Sequence, residues 1–559
     1  MKYFVSTWRN TWLVLLLLGI ITVQGAWAQA PAWQTAIATG QTSLFITRAV
    51  AANTQGDVFI VGQFSGSVSF SGTTLTSAGN TDGFVARWNP SSNSFSWAQR
   101  VGSTGYDAIM GVAVNGTDVI VAGSFNNTIA VGSITLTSAG SADIFVSKLT
   151  DAGSFVWAKQ AGGPEFDETW AVCIDGTSIY VAGNFRATAT FGAISLAGTG
   201  PVDDNAYVAK LTNAGLSANF VWAQRVGSPD GSSAKAIATS AGSVYVGGSF
   251  FGRAAFGGIH LLASNTDGFI AKIADSGSTS SFVWAQQVGG PNSAYTLALA
   301  LNGSSLYLAG AFVNTATFGT ISLANSGGNY TDAFVAKLTD AGLSSTFLWA
   351  QKAGGTDADE ASSLVADGSA VYVTGHFAGT ASFGSTSLTS TGSSNDIFVA
   401  KLLDAGSSTS FAWAQRAGGS GYDVANALAK SGSILYVGGD ITGTVSFSAQ
   451  LIGSGSGTSG FLASLTDATG LATASPIALA GLIISPNPAH ALATVQLLPI
   501  PGATTATLTL FDALGRAVRT QTAATNTRTE LDLTGLSAGF YVLRVQAGSA
   551  IATNRLIVE

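Results

Sequence analysis

The chain has 559 residues, which is long enough for one large repeat domain and a smaller second domain. Only 9% of the residues are charged, and the formal net charge of -7 argues against a nucleic-acid-binding protein, which would show a basic face. Hydrophobic residues make up 47% of the chain and recur in strand-like runs, which excludes a disordered chain. The single cysteine, Cys173, has no disulfide partner, so we expect it to pack as a small apolar residue.

The N-terminal residues predict an export signal. Lys2 and Arg9 precede an apolar run over 12–23 that is too short to span a bilayer, and small residues follow it. We therefore predict a signal peptide over 1–28, with cleavage after Ala28. No later run is long and apolar enough for a membrane helix, so we expect an exported mature chain without a transmembrane segment.

A repeated hexapeptide, Phe-x-Trp-Ala followed by Gln or Lys and one further residue, organises most of the chain. Such a fixed period, here about 60 to 65 residues, is typical of solenoids, propellers and arrays. Each repeat holds four strand-like runs separated by turn residues, which predicts a β-propeller blade. The tryptophans of the hexapeptide are Trp97, Trp157, Trp222, Trp284, Trp349 and Trp413.

The second run of each repeat carries a Gly-x-Phe signature, which gives the number of repeats. Seven copies in register predict seven blades, although the last copy reads Gly-Asp-Ile. The glycines are Gly62, Gly123, Gly183, Gly248, Gly310, Gly375 and Gly439.

The seventh repeat lacks a tryptophan strand, and the start of the mature chain carries a degenerate copy of one at Trp33. We therefore predict a seven-bladed β-propeller over 29–467, closed by the N-terminal strand. In that arrangement Trp33 lies beside 461–465. The Phe and Trp of each hexapeptide are two residues apart, so we expect them on one face of the strand, wedged between blades.

Three runs, 106–114, 371–375 and 398–402, resemble bacterial β-propeller repeats of the SBBP type. The resemblance extends over roughly 31–466 of this chain. It implies a propeller fold in an exported protein, but it implies no particular activity, because such repeats occur in exported proteins with many roles.

The sequence changes character after Asp467. A linker of small residues over 468–481 is followed by alternating apolar runs over 482–559, broken by Asp, Gly and Asn. This pattern predicts a small Ig-like β-sandwich, so the whole chain is expected to be all-β.

The motifs of 482–559 resemble the type A C-terminal sorting domain of the type IX secretion system of Bacteroidota. Ser485 stands where the family usually has an aromatic residue. The resemblance implies that the type IX secretion machinery carries the protein across the outer membrane, so that it is secreted or held at the outer-membrane surface. The residues that match the family are Pro486, Asn487, Pro488, Asp512, Gly515, Arg516, Gly539 and Tyr541.

Aspartates recur on the loops that a propeller would place at one face. One set precedes the first strand of several repeats (Asp107, Asp167, Asp359 and Asp423), and a second set precedes the third strand (Asp82, Asp143, Asp204, Asp267, Asp332 and Asp396). Rings of carboxylates could bind Ca²⁺. An aspartate repeated in each blade is more typical of a turn cap, and no calcium-loop motif is present, so we predict no cofactor and no dedicated metal site.

Residues that break the repeat are better candidates for ligand contacts. We predict ligand binding by Glu168, Trp170, Arg186 and Arg253, together with Asp107, Asp167, Asp359 and Asp423. Phe166, His260 and His376 also depart from the repeat on or near loops.

The sequence offers little for catalysis. Its three histidines are far apart and have no metal-ligand spacing, and there is no nucleophile elbow, phosphate loop or dinucleotide fingerprint. We favour a non-enzymatic, monomeric module that binds a glycan or a protein, as in adhesion. A polysaccharide hydrolase or lyase using carboxylates at the channel stays open, as does a passive surface-layer protein.

Overall fold

The structure, a computed structural model, describes residues 30–39, 44–198, 203–228, 230–392, 394–453, 457–467, 483–496, 504–512, 516–547 and 550–559. The predicted signal peptide, the linker and Gly515 lie outside these ranges. The chain divides into two compact units, Met1–Thr466 and Asp467–Glu559. All elements of the described residues are β-strands. The described residues therefore contain no helix that could cross a membrane.

The first unit repeats one antiparallel module, in which the first strand pairs with the second, the second with the third, and the third with the fourth. Module 1 contains β2 (Leu44–Ala52), β3 (Val58–Ser65), β6 (Asp82–Asn89) and β7 (Ser94–Val101), with a hairpin of β4 (Ser67–Phe70) and β5 (Thr73–Thr76). Module 2 contains β8 (Ala108–Asn115), β9 (Asp118–Val131), β10 (Ile134–Thr150) and β11 (Phe155–Ala161).

The same pairing continues through the next three modules. Module 3 contains β12 (Glu168–Asp175), β13 (Ser178–Phe185), β16 (Asn205–Asn213) and β17 (Ala218–Val226), with the hairpin β14 (Thr188–Phe191) and β15 (Ile194–Ala197). Module 4 contains β18 (Ser232–Ser240), β19 (Ser243–Phe256), β20 (Ile259–Asp275) and β21 (Ser280–Gly289). Module 5 contains β22 (Ala294–Asn302), β23 (Ser305–Val313), β26 (Thr331–Asp340) and β27 (Ser345–Ala353), with the hairpin β24 (Thr315–Phe318) and β25 (Ile321–Ala324).

Two modules complete the first unit, and the last one borrows a strand from the start of the chain. Module 6 contains β28 (Asp359–Asp367), β29 (Ala370–Phe377), β32 (Asp396–Asp404) and β33 (Thr409–Gly419), with the hairpin β30 (Thr380–Phe383) and β31 (Thr386–Thr389). Module 7 contains β34 (Val424–Ser431), β35 (Ile434–Thr442) and β38 (Thr458–Thr466), the hairpin β36 (Val445–Phe447) and β37 (Gln450–Ile452), and β1 (Trp33–Thr39) as its outer strand.

The pairing of β1 with β38 is the one predicted from the sequence. The strands are antiparallel, with Trp33 opposite Leu465 and Ala38 opposite Phe461. Trp33 is only 4% exposed, and its ring meets Phe447 edge-on at 4.9 Å between centroids. Its indole Nε1 donates a hydrogen bond to the carbonyl oxygen of Arg416, in the outer strand of module 6, at 3.0 Å. The predicted contact between the two ends of the repeat is thereby confirmed.

A β-bulge interrupts the first strand of every module and explains the Gly-x-Phe signature. In module 1 the bulge leaves Arg48 unpaired between Thr47 and Ala49. It also presses the carbonyl oxygen of Ile46 against Gly62, where a Cβ atom would lie 1.9 Å from that oxygen. The signature glycine is therefore required by close backbone approach. The unpaired residues are Arg48, Met110, Trp170, Lys235, Leu297, Ser362 and Asn426.

A second bulge, in the fourth strand, overturns the expected orientation of the hexapeptide. In module 4, Trp284 pairs with Lys272 and Phe282 pairs with Ile273, so the residue between them is extra. Because adjacent residues of β20 point to opposite faces, the Phe and the Trp also point to opposite faces. The prediction that they share one face was wrong, since a two-residue spacing gives one face only in a regular strand.

The buried tryptophans of modules 3, 4 and 5 nevertheless join neighbouring modules. Asp340, in module 5, accepts hydrogen bonds from three side chains of module 4: Trp284 Nε1 at 3.1 Å, Lys272 Nζ at 2.6 Å and Tyr245 Oη at 2.6 Å. We call this arrangement the aspartate clasp. Burial alone would raise the pKa of Asp340, but these hydrogen bonds outweigh burial and hold the pKa below its usual value. Asp275 and Asp404 form the equivalent clasps at the adjacent junctions.

The second unit consists of two antiparallel sheets around one core. The core contains side chains of both sheets, including Val495 and Leu531 from the first and Leu508, Leu543 and Leu556 from the second. The first sheet contains β39 (Ile483–Ser485), β40 (Leu492–Gln496) and β43 (Arg528–Asp532). The second contains β41 (Thr505–Phe511), β42 (Ala517–Ala524), β44 (Gly539–Ala547) and β45 (Ala550–Val558).

Candidate ligand site

The four aspartates that precede first strands are buried and bind the backbone. Asp167 is fully buried, and its Oδ2 accepts a hydrogen bond from Gly163 N at 2.7 Å while Oδ1 accepts one from Arg186 N at 3.2 Å. It therefore joins the loop before β12 to the end of β13. Asp107 and Asp423 lie at the same position, each at most 1% exposed, and cap their loops in the same way. Asp359, also 1% exposed, accepts from Gly355 N through Oδ2.

Most aspartates of the second set are buried against the first set. Asp204 and Asp267 are the exceptions. The Asp204 side chain is 40% exposed, and Asn205 takes the buried position opposite Phe185. Asp267 is buried, but its carboxylate accepts from Gln287 Nε2 and Gly290 N instead. In the other modules, a Cβ atom on Gly162 would lie 2.8 Å from Asp143 Oδ1 and 3.0 Å from Asp167 Oδ2, so the two carboxyl groups converge there. The carboxylate pairs are Asp82 with Asp107, Asp143 with Asp167, Asp332 with Asp359, and Asp396 with Asp423.

The carboxylate pairs favour a bound proton. Burial raises the pKa of Asp167 and of Asp423 to about 7 and that of Asp359 to about 8, and the second carboxylate of each pair adds to the rise. Among the described residues, Oδ1 of the other aspartate of each pair (Asp82, Asp143, Asp332 and Asp396) has no hydrogen-bond partner, and neither has Oδ1 of Asp359. Within the described residues no group of three His, Cys, Asp or Glu side chains could hold a metal ion.

We expect these pairs to make the free energy of unfolding fall as the pH rises. A carboxyl whose pKa is higher in the folded state stabilises the fold fully below its unfolded pKa, near 3.8, and this contribution is lost as the pH rises through the folded value, about 8 for Asp359. Each unit of pKa displacement corresponds to about 1.4 kcal/mol. Urea unfolding of Asp359→Asn, which needs no proton, should show a shallower fall across this window. An unchanged pH slope would contradict the assignment.

The unpaired residues of the first-strand bulges form the most varied part of the repeat. All seven are half-buried, although they range from arginine and tryptophan to leucine and serine. The residue between the Gly and the Phe (or Ile) of the signature, on the adjacent second strand, varies similarly: Gln63, Ser124, Asn184, Ser249, Ala311, His376 and Asp440. The scaffold of the modules is thus constant, while these two positions differ.

Charged and aromatic side chains from different modules meet at these varied positions. Lys235 Nζ lies 3.0 Å from the centroid of the Trp170 ring, a cation–π contact. The Trp170 indole Nε1 donates to Asn184 Oδ1 at 2.6 Å, which fixes the ring. Glu168 also interacts with Lys235 and hydrogen-bonds Asn184. Trp170 and Glu168, both predicted from the sequence, therefore lie together.

The same group extends to modules 1, 6 and 7. Burial lowers the pKa of Arg48, and the charges of Asp440 and Glu168 oppose that fall. Burial also lowers the pKa of Lys235 to about 8, although the negative charges of Glu168, Asp204 and Glu360 oppose that fall. Because these interactions cross between modules, the side chains converge on one region. We call Arg48, Glu168, Trp170, Lys235, Glu360 and Asp440 the inner cluster.

The remaining predicted ligand residues are divided between this region and the periphery. Arg186 Nε donates a hydrogen bond to Asp204 Oδ1 at 2.7 Å, and its guanidinium lies 5.6 Å from the centroid of the Phe166 ring. Arg186 also interacts electrostatically with Glu168. Arg253 and His260 instead lie on the extensions of β19 and β20, where both are exposed. His376 borders the inner cluster, since it pairs with Glu360. Burial lowers the pKa of His376 to about 4, so its ring is neutral at pH 7.

Exposed aromatic rings lie at one end of the modules. Tyr106 and Tyr422 precede first strands, and Tyr330 lies between a second and a third strand. Phe251 lies within β19, directly after the signature Phe250. These positions share one end of each module. Their exposed fractions are 65%, 53%, 46% and 57%. Exposed rings of this size at one edge are typical of a binding surface.

The sequence analysis missed Arg48, Lys235, Glu360 and Asp440. The signal for Asp440 was present, because it occupies the middle of the degenerate Gly-x-Phe copy. The other three lie at or beside the bulge in the first strand. A bulge adds one unpaired residue without changing the composition of the strand, so its position was not visible in the periodic pattern.

The sorting motif positions the last strand of the second unit. The Asn487 side chain donates to the carbonyl oxygen of Arg555 at 2.8 Å and accepts from Ile557 N at 2.9 Å, as a backbone group would. The Asp512 carboxylate accepts from Arg516 N and Nε at 3.0 and 2.8 Å. Tyr541 is buried and donates its hydroxyl to the Ser537 carbonyl oxygen at 2.8 Å.

Residues 484–559 match the family model of the secretion system C-terminal sorting domain. The domain assigns this protein to the type IX secretion machinery and to the cell surface or the exterior. No curated protein matches the chain. A solved structure titled glycoside hydrolase family 32, from Bifidobacterium adolescentis, is 9% identical over 94% of this chain and 95% of the other, with a TM-score of 0.25. A likeness this low carries no argument for fold or activity.

Proposed function

We propose that this exported protein is a non-enzymatic binding module, a seven-bladed β-propeller that takes a glycan or protein ligand at its central channel. Seven modules with one pairing pattern, and the pairing of β1 with β38, support a closed ring. The bulged first strands would line the channel, as the convergence of the inner cluster suggests. The repeats would be of the SBBP type, and the protein would act as a monomer without a cofactor.

The delivery part of the proposal concerns the two ends of the chain. A signal peptide over 1–28 would begin export, and the second unit would be a type A sorting domain with an Ig-like sandwich, as in Bacteroidota. The two sheets around one core support that architecture. A binding module delivered to the cell surface would allow the cell to adhere to the ligand of that module.

The inner cluster is the observation that carries the binding function. Its side chains are half-buried. Arg48, Trp170, Lys235 and Asp440 occupy the two positions at which the modules differ, and Glu168 and Glu360 lie two residues before a bulge, opposite Asn184 and His376. Residues needed only for folding would repeat with the scaffold, as the signature glycines do. The exposed rings of Tyr106, Phe251, Tyr330 and Tyr422 at the loop end favour a glycan over a protein ligand, because flat rings can stack on sugar faces.

One observation favours an enzyme as the second candidate. Burial raises the pKa of Glu168 and of Glu360, which belong to modules 3 and 6. Glycoside hydrolases usually use two carboxyl groups, one of which acts as the general acid. Release of reducing ends from a bound polysaccharide, abolished in both Glu168→Gln and Glu360→Gln, would establish this alternative.

The binding function is tested on the full mature chain with a glycan array, followed by calorimetry on each glycan that binds. We expect Trp170→Ala to weaken binding about tenfold or more, since about 1.4 kcal/mol of ring contact is lost. Leu216→Ala is the control, because this apolar side chain is exposed between β16 and β17 and is not one of the predicted ligand residues. A blank array, or full binding by Trp170→Ala with an unchanged melting temperature, would contradict a glycan ligand at this site.

A further inference from the structure

The carboxylate pairs are interrupted at the junction of modules 3 and 4. Ser232 takes the position that Asp167 holds in module 3, directly before the residue that pairs with the middle of the signature. Asn205 takes the position that Asp143 holds in module 2, opposite the signature Phe. The carboxylate of Asp204 is left outside this position, and its side chain is 40% exposed. Two neutral residues and a displaced carboxylate therefore replace a buried pair at this junction.

A cavity of about 240 Å³ lies at the same junction. The strand pairing brings its side chains together, because Ser233 lies opposite Ser249 and Phe251 lies opposite Thr266. Pockets for drug-sized ligands usually measure about 300–1,000 Å³, so this cavity suits a single small ring. Its lining includes Asp204 of module 3 and Ser233, Ser249, Phe251 and Thr266 of module 4.

The polar groups of the cavity have hydrogen-bonding capacity to spare. Asp204 Oδ1 accepts from Arg186 Nε at 2.7 Å, which orients the carboxylate, whereas Oδ2 receives no hydrogen bond from any described residue. The hydroxyl groups of Ser249 and Thr266 also make no hydrogen bond within the described part of the chain. A ligand in the cavity would therefore meet a carboxylate acceptor and two hydroxyl groups, which suits a molecule rich in hydroxyl groups.

An aromatic ring borders these polar groups. Phe251 is 46% exposed, and its backbone N donates to the carbonyl oxygen of Gly231 at 2.9 Å, which fixes this part of β19. A sugar has an apolar face of C–H groups and a rim of hydroxyl groups. An aromatic ring beside hydrogen-bonding groups is complementary to both.

We propose that this cavity is a subsite for one neutral sugar residue, which donates a hydroxyl hydrogen bond to Asp204 Oδ2 and packs against the Phe251 ring. This inference rests on the proposed glycan-binding function and deepens it. Among the described residues that line the cavity, Asp204 is the only charged one. Arg186 is already paired with it, so the subsite favours a neutral sugar over an acidic one.

The subsite is connected with the inner cluster by hydrogen bonds. Ser233 Oγ donates to Asn184 Oδ1 at 3.3 Å, and the same oxygen accepts from Trp170 Nε1 at 2.6 Å. One glycan would therefore occupy both places, with one sugar residue in the cavity and a neighbouring residue at the Trp170 ring.

The test titrates the full mature chain with the methyl glycosides of glucose, galactose, mannose and fucose, by ligand-observed NMR. We expect at least one to bind with a dissociation constant of about 1–10 mM, since so small a ligand makes few contacts. Asp204→Asn should weaken this binding about tenfold, because the charge-assisted hydrogen bond is lost. Phe251→Ala should weaken it by a similar factor. Asp203→Asn is the matched control, because Asp203 is not among the described residues that line the cavity.

Deoxy analogues of the bound sugar identify the hydroxyl group that Asp204 accepts. Removing that group should weaken binding to the parent protein about tenfold, because a site that hydrogen-bonds a hydroxyl group discriminates against the analogue without it. The same analogue should bind Asp204→Asn about as well as the complete sugar does. Equal losses in the parent and in Asp204→Asn would show that Asp204 does not contact the sugar.

The outcomes separate this inference from the function beneath it. Suppose that a glycan binds on the array but no methyl glycoside binds, or that Asp204→Asn and Phe251→Ala both bind as the parent does. Either result would overturn the subsite and leave glycan binding intact, and so would tighter binding of methyl glucuronate than of the glucoside. No binding to any glycan would overturn both proposals. Melting temperatures within a few degrees of the parent show that each variant is folded.

Discussion

Replacing Asp340 with alanine is expected to lower the free energy of unfolding of the first unit by about 3–5 kcal/mol. The carboxylate is only 8% exposed and receives Lys272, Tyr245 and Trp284 from the preceding module. Its removal leaves the Lys272 ammonium, itself 10% exposed, without a counterion. Breaking one partner of a buried pair costs more than the pair contributed, because the remaining charge stays desolvated. Urea unfolding at pH 7 measures the difference.

The chain offers a matched control for this substitution. At the junction of modules 1 and 2, Asp151 holds the position of Asp340, but its backbone carbonyl oxygen accepts from Trp97 Nε1 at 2.8 Å and from Arg87 Nη1 at 3.0 Å. Asp151→Ala keeps that carbonyl, so we expect a change of about 0.5 kcal/mol or less. Equal losses in the two variants would show that the clasp carboxylate does not hold the modules together.

The clasp also gives a pH dependence opposite to that of the carboxylate pairs. The pKa of Asp340 lies below its unfolded value, so its contribution is present above that value and is lost as the pH falls. The pKa of Asp359 is raised, so its contribution is lost as the pH rises. The difference is one of partners: Asp340 faces a lysine, whereas Asp359 faces Asp332. Stability is therefore expected to be greatest at mildly acidic pH.

The features that repeat in the sequence could be predicted, because they serve every module alike. The spacing of Trp97 through Trp413 gave the period, and the weak copy at Trp33 gave the pairing of β1 with β38. The second unit could be recognised from Pro486 to Tyr541 because its turn and strand motifs are local in sequence, and the family match to 484–559 agrees.

The features that depend on bulges could not be predicted. A bulge changes the face of every residue beyond it, so the periodic pattern placed Phe282 and Trp284 together when they lie apart. The same effect hid the inner cluster, since Arg48 and Lys235 read as ordinary strand residues. The partner of each tryptophan was also hidden, because Asp340 is 56 residues from Trp284 and only the fold brings them together.

Replacing Trp33 with alanine is expected to lower the free energy of unfolding by about 3–5 kcal/mol, the usual loss for a buried tryptophan. The ring is packed on Phe447 and joins modules 6 and 7 through the Arg416 carbonyl oxygen. Trp33→Phe keeps an aromatic ring at this position and loses the indole donor, so we expect the free energy of unfolding to fall by about 1 kcal/mol. Urea unfolding of the two variants separates packing from the hydrogen bond.

A chain that begins at Leu44 tests closure itself. Without β1, the edge of β38 is unpaired, and exposed edges of this kind recruit other strands. We therefore expect a lower unfolding midpoint and association between chains, measured by light scattering. A peptide of residues 30–39 should restore the midpoint as its concentration rises, because a ligand of the folded state alone stabilises it by mass action. An unchanged unfolding midpoint in the truncated chain would show that β1 does not stabilise module 7. Rescue of the midpoint by the peptide would show that pairing of β1 with β38 is what stabilises it.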